Sequence, residues 1–151
     1  LDAEGRLAGV SMNDIEPLGR NYIVVRFDGS LNFVNASRFE DVLLEARAKN
    51  PQARAVLVEG SGINDVDVSG EERLRSVIEL FRDNGIEIYF SRLKAQVYDT
   101  LRRGRLFHLL DERHFIRTKE RALEFMEETY DSGKPLEPSR PAVGPRTPML
   151  G

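Results

Sequence analysis

The sequence predicts an α/β fold in which a mixed, mainly parallel sheet of four or five strands is covered by about four helices. Two observations support this fold class. Short apolar, β-branched segments at 22–27, 53–59 and 86–90 are typical of buried strands. Each of them is followed by a segment with helical periodicity. Uninterrupted apolar strands that alternate with helices indicate parallel pairing, because both faces of such a sheet are covered.

The first two predicted helices are bounded by clear stop signals. The helix at 35–49 has apolar residues on one face and ends at Asn50, because a residue before proline avoids helical backbone geometry. The helix at 71–84 has apolar residues at i, i+3, i+4 and i+7, starting from Leu74. Gly85 follows it as the expected left-handed cap.

The second half of the chain predicts two more helices and a short edge strand. Leu93, Val97 and Leu101 mark a third helix, which Gly104 can end. Residues 114–117 predict the edge strand, and Thr118 is expected to cap the last helix.

The two ends of the chain differ from its middle in composition. Residues 1–14 are small and polar and are interpreted as a linker, and residues 15–18 predict a strand that pairs with 22–27. Residues 132–151 hold five of the seven prolines and predict a disordered tail. The folded domain is therefore expected at 15–131. Because the chain starts with Leu1 rather than methionine, we expect it to be an excerpt of a longer polypeptide or a processed product.

Composition argues against several classes of protein. The chain has no cysteine, and its two histidines are six residues apart, which is not a recognised metal-binding spacing. No segment has the roughly 18 apolar residues that a membrane span requires. The net charge of −3 does not suggest a nucleic-acid partner. No nucleophile is paired with a base and no Walker lysine is present, so the sequence predicts a protein that is not an enzyme.

Ser69, in the segment SGINDVDVSGEERL at 61–74, allows three interpretations. In the first, Ser69 is the N-cap of the second helix and Glu72 completes a capping box. In the second, the loop and helix start formed by Asn64, Asp67, Val68, Ser69 and Gly70 bind an anion or a partner. A nucleotide is only a minor alternative there, since acidic residues would repel its phosphates. In the third, Ser69 is phosphorylated, although the same acidic residues oppose the added charge.

The same segment resembles the signature of the STAS domain, which anti-sigma factor antagonists share with the cytoplasmic tails of SulP-type sulfate permeases. The family pattern Asp-x-Ser/Thr-Gly matches Asp67, Ser69 and Gly70, and Asn64 fits the element before it. The resemblance implies that Ser69 stands where the antagonists accept phosphate from their kinase. Here Glu71 follows, where antagonists have an apolar or small residue, so we expect this switch to be unused.

A second motif resembles the permease branch of the family. Residues 26–43, RFDGSLNFVNASRFEDVL, resemble the permease form G-x-L-x-F-x-N-A-x-x-F, and the whole resemblance covers about 20–130. It implies a non-catalytic regulatory and interaction domain on the cytoplasmic face of a membrane. The implied partners are the transmembrane domain of the same anion transporter and a second copy of the full-length protein. Asn32, Phe33 and Asn35 are candidate partner contacts, with Phe33 in a loop.

Charge along the chain suggests a further kind of partner. Residues 59–87 carry eight acids and three arginines, whereas 92–121 carry nine bases and four acids. Solvated helix faces explain this asymmetry most simply. The alternative is that Arg102, Arg103 and Arg105 contact anionic lipid or an acidic regulatory protein.

Two functional hypotheses follow from these residues. In the first, the chain is the cytoplasmic STAS domain of a SulP-type transporter of sulfate or another anion. In the second, it is a freestanding anti-sigma factor antagonist switched by phosphorylation of Ser69.

Overall fold

The computed structural model describes residues 21–131 and confirms the predicted α/β class. The predicted linker, the strand at 15–18 and the proline-rich tail lie outside these residues. The elements in chain order are β1 (Tyr22–Arg26), β2 (Gly29–Leu31), α1 (Phe33–Lys49), β3 (Ala55–Glu59), β4 (Ile63–Val66), α2 (Val68–Asp83), β5 (Glu87–Ser91), α3 (Ala95–Arg103), β6 (Phe115–Ile116) and α4 (Lys119–Tyr130). Two short 3-10 turns, Arg105–His108 and Glu112–His114, connect α3 to β6.

The main sheet has four strands in the order β1-β3-β5-β6, and each neighbouring pair is parallel. One face packs against α1, α2 and α3 through a large apolar cluster that includes Phe39, Ile78 and Leu101. The other face packs against α4 through a smaller cluster that includes Ala122 and Met126. Strands with apolar side chains on both faces are therefore buried, as the sequence predicted.

The other two strands form a separate ribbon beyond the carboxyl end of β1. β2 and β4 pair in parallel, with Gly29 opposite Ile63 and Leu31 opposite Val66. The prediction that Asn64 lies in a loop before the second helix is wrong, because Ile63–Val66 form a strand. The segments at 29–31 and 63–66, which lead into α1 and α2, are thus joined by backbone hydrogen bonds.

Side-chain caps set where the helices begin. Asn32 Oδ1 accepts hydrogen bonds from the amides of Val34 and Asn35, both at 3.0 Å, so α1 begins at Phe33 rather than at 35. Asp67 Oδ1 accepts from the amide of Gly70 at 2.8 Å and caps α2. The prediction that Ser69 is this cap is therefore wrong.

The two ends of the described chain meet at the amino edge of the sheet. The backbone amide of Asn21 donates to both carboxylate oxygens of Asp131, at 3.1 and 3.2 Å. Its side-chain amide donates to the carbonyl oxygen of Tyr130 at 2.9 Å. These hydrogen bonds fasten the end of α4 beside the start of β1.

A charged cluster ties the connection between α3 and β6 to the body of the domain. The Arg82 guanidinium donates to both carboxylate oxygens of Glu87 at 3.0 Å and to the carbonyl oxygen of Leu109 at 2.8 Å. His114 Nε2 lies 3.1 Å from Glu87 Oε1. Burial raises the pKa of the Glu87 carboxyl, but the hydrogen bonds and positive charges of His114 and Arg82 outweigh burial and lower it below its ordinary value.

We expect Asp67→Ala to lower the free energy of unfolding by about 1 kcal/mol, because an orphan amide of α2 loses its acceptor. Ser69→Ala is the matched control, since it alters an exposed side chain two residues away. It should change stability by less than about 0.5 kcal/mol. Urea unfolding of both variants checks this, and a larger loss for Ser69→Ala would restore Ser69 as the cap.

The lowered pKa of Glu87 makes part of the stability dependent on pH. A carboxylate with a depressed folded pKa stabilises the fold above its unfolded pKa, and this contribution is lost as pH falls through the folded pKa. Glu87→Gln should therefore be less stable than the wild type at about pH 6, and the difference should shrink towards about pH 3. Denaturant titrations at each pH measure this. Glu79→Gln, at an exposed position of α2, is the control, and a wild-type-like curve for Glu87→Gln would contradict the prediction.

Candidate functional site

The Asp-x-Ser-Gly motif lies where the first turn of α2 passes very close to the end of β2. A Cβ atom added to Gly70 would lie 1.8 Å from the carbonyl oxygen of Leu31. The amide of Asp67 donates to that same carbonyl oxygen at 3.1 Å. Gly70 is therefore required at this position, because any side chain would collide with backbone. Asp67 and Gly70 together fix α2 against the ribbon.

This approach places the starts of α1 and α2 side by side. Leu31 and Val66 are paired across the ribbon, and α1 and α2 each begin two residues later, at Phe33 and Val68. Both helices therefore begin just beyond the same end of the ribbon. The sequence motifs at 29–39 and 61–70, which are separate along the chain, thus form one surface.

Three large apolar side chains on this surface are exposed to solvent. Phe33 is 78% exposed, Val34 66% and Val68 74%. Among the described residues, the other large exposed apolar side chains, Leu44 and Leu80, are about 40% exposed. We call Phe33, Val34 and Val68 the apolar tip. Single exposed apolar residues need no explanation, but a contiguous group at one end of a domain is typical of an interaction site.

The remaining predicted residues around the tip hold the backbone or face solvent. Ser69 is exposed in the first turn of α2, and Asn35 is half-buried behind Asn32. Asn64 is exposed on β4, where its side-chain oxygen accepts from Lys94 Nζ at 2.7 Å and its carbonyl oxygen accepts from Gln96 at 3.2 Å. Asn32 and Asp67 are caps, so their primary contacts lie within the fold.

Glu71 does not face the helix start. Its Oε2 accepts from the amide of Leu106 at 2.8 Å, and its Oε1 lies 3.8 Å from Arg75 Nε. The Glu71 carboxylate, which the sequence predicts beside Ser69, instead fastens the first 3-10 turn, Arg105–His108. Glu72, by contrast, is exposed.

The three arginines proposed for an anionic partner lie on and just after α3, outside the two segments that form the apolar tip. All three are exposed. Arg105 precedes Leu106, whose amide donates to Glu71 in the first turn of α2. Arg102 and Arg103 both pair with Asp99, with Arg102 at 3.4 Å. Exposed pairs of this kind contribute little to stability.

Two sequence signals identified this surface only in part. Phe33 was a candidate contact, whereas the exposure of Val34 was not expected and Val68 was named only as part of the helix start. Val34 precedes a helical apolar stripe but lies off it, since Ala36, Phe39 and Leu43 face the core. If α1 is taken to begin at Phe33, the helical periodicity places Val34 off the buried face.

Within residues 21–131, no helix is long and apolar enough to cross a bilayer, and no group of three or more acidic or histidine residues could hold a metal ion.

Solved structures with the same fold come from both branches of one family. SLC26A9 matches with a TM-score of 0.65 and 18% identity over 72% of this chain and 20% of that one. The STAS domain of a SulP transporter from Vibrio cholerae matches with a TM-score of 0.58 and 21% identity, over 72% of this chain and 86% of that one. The anti-sigma factor antagonist SpoIIAA, in its unphosphorylated form, matches with a TM-score of 0.56 and 13% identity, over 76% and 95%. At these identities the likeness is one of fold.

This chain spans about a fifth of the length of SLC26A9. A search of curated protein sequences finds no match. The STAS domain profile matches residues 14–122, which is well over half of the chain and includes both motifs that form the apolar tip. The chain therefore belongs to the STAS domain family.

Proposed function

We propose that this chain is the cytoplasmic regulatory and interaction domain of a SulP-type transporter of sulfate or another anion. The observation that carries the proposal is the apolar tip, because exposed Phe33, Val34 and Val68 at one end of a packed domain are suited to binding another polypeptide. The partner in this proposal is the transmembrane domain of the same transporter. A second copy of the full-length protein is a further proposed partner.

The permease-type residues at 29–39 have structural roles that lead to this surface. Gly29 has a φ of 130°, a conformation that glycine adopts readily and that starts β2. Leu31 and Phe39 are buried, and Phe27 packs edge-to-face on Phe39 with ring centroids 5.1 Å apart. These contacts hold the ribbon and α1 together, so the motif supports the tip from beneath while Phe33 remains in solvent.

The role proposed for the domain is binding rather than catalysis. The polar residues that directly precede the tip in the chain, Asn32 and Asp67, are occupied as helix caps. Neither is paired with a base or a nucleophile in the contacts they make. A surface of this kind contributes apolar area and shape to an interface.

A freestanding anti-sigma factor antagonist remains the second candidate function. The observation that favours it is Ser69, which is exposed in the first turn of α2, where a kinase could reach its hydroxyl. The exposed acids on either side of it, Asp67 and Glu72, oppose an added phosphate charge. We therefore place this candidate second.

Cell fractionation with an antibody raised against residues 21–131 separates the two functions. If the domain belongs to a transporter, the band should be several times larger than 17.2 kDa and should sediment with membranes. Washing the membranes at high salt and at alkaline pH controls for peripheral attachment, and the band should stay in the pellet. A band near 17.2 kDa in the cytosol would overturn the transporter proposal and favour the antagonist.

A further inference from the structure

The two segments that build the apolar tip carry charges of one sign. These segments, 31–36 and 64–72, contain four acidic residues and no basic residue. Glu71 is turned towards Leu106 and Arg75. The other three acids, Asp65, Asp67 and Glu72, are exposed and lie within four residues of Val68 in the chain. We call these three the acidic rim.

The acidic rim outweighs the positive charge that is built into the same end of the domain. The aligned peptide dipoles give each helix start a charge equivalent to about +0.5, so α1 and α2 together supply about +1. Lys94 adds one ammonium group, which donates to Asn64 at 2.7 Å. The nearby guanidinium of Arg73 is paired with Glu40 at 2.6 Å. Arg105 is exposed next to Leu106 and so lies on the side of Glu71. The three carboxylates of the acidic rim therefore make the residues next to Val68 negative.

An apolar surface with a negative rim selects one kind of occupant. Anionic lipid headgroups would be repelled by the rim, and an acidic protein would be repelled in the same way. A basic segment gains from both parts of the surface, because its apolar side chains cover the tip while its cations approach the rim. We propose that the apolar tip and acidic rim bind a cationic amphipathic segment of a protein partner, an inference that rests on the proposed function and specifies its docking site.

The proposal assigns separate roles to the two sets of residues. Phe33 and Val68 provide contact area, so they determine how long the complex lasts. Asp65 and Glu72 provide charge, so they determine the sign of the partner and the dependence of binding on salt. Asp67 also caps α2 and is therefore left unchanged in any test.

Peptide binding to the whole 151-residue chain tests this proposal. The probe is a synthetic amphipathic helix of about 18 residues built from leucine and lysine. One matched peptide has glutamate in place of lysine, and another has glutamine in place of leucine. Fluorescence anisotropy gives the affinities, and amide chemical-shift changes in an isotope-labelled sample locate the bound peptide.

We expect the leucine–lysine peptide to bind at least about tenfold more tightly than either matched peptide. Its shift changes should centre on residues 32–34 and 67–69. The Phe33→Ser, Val68→Ser double variant should weaken binding by at least about tenfold. Asp65→Asn with Glu72→Gln should weaken binding and reduce its salt dependence. Leu80→Ser, at an exposed apolar position near the other end of α2, is the matched control and should bind like the wild type.

Three results would overturn the proposal. The first is equal affinity for the leucine–glutamate peptide. The second is a set of chemical-shift changes centred away from the apolar tip. The third is unaltered binding by the Phe33→Ser, Val68→Ser variant when its urea unfolding shows that it is folded. Phe33-dependent binding to phosphatidylglycerol vesicles would also overturn it in favour of a membrane. A cytosolic 17.2 kDa band in fractionation would remove the transporter and leave these affinities unaffected, so the two failures are distinguishable.

Discussion

The close approach of Gly70 to the carbonyl oxygen of Leu31 is the constraint on which the rest of this surface depends. It lets the first turn of α2 rest directly on the end of β2, where the Asp67 amide shares the same oxygen. Since Leu31 leads straight into α1, one contact sets the positions of both helix starts. The packing of α1 against α2 over the sheet then follows from where each helix begins.

The exposed apolar side chains are a consequence of that arrangement rather than a defect in the core. Phe39 on α1 and Leu74 on α2 face the sheet and are buried. Phe33 and Val68 precede these stripes, at the first residues of their helices, and their side chains are mostly in solvent. While these residues stay in solvent, the domain forgoes the stabilisation that their burial would give, which is about 1.5–3 kcal/mol for a side chain of this size. A bound partner would recover part of that free energy.

Local patterns predicted the main sheet well and the ribbon poorly, for a physical reason. β3 and β5 are apolar on both faces, and this pattern is visible without tertiary contacts. β4, with sequence INDV, has two exposed polar residues and exists only because β2 pairs with it. The prediction of the α2 cap was wrong for a similar reason. Ser69 with Glu72 and Asp67 with Gly70 are equally plausible starts locally, and only the approach to Leu31 selects Asp67.

The joined ends of the domain have a consequence for how it could be carried by a larger protein. Asn21 and Asp131 meet at the amino edge of the sheet, so the polypeptide enters and leaves the domain at one place. The helix starts that display Phe33 and Val68 lie beyond the carboxyl edge, at the opposite end. If a larger protein holds the domain by these two ends, the apolar tip is the part of the domain that lies farthest from the attachment.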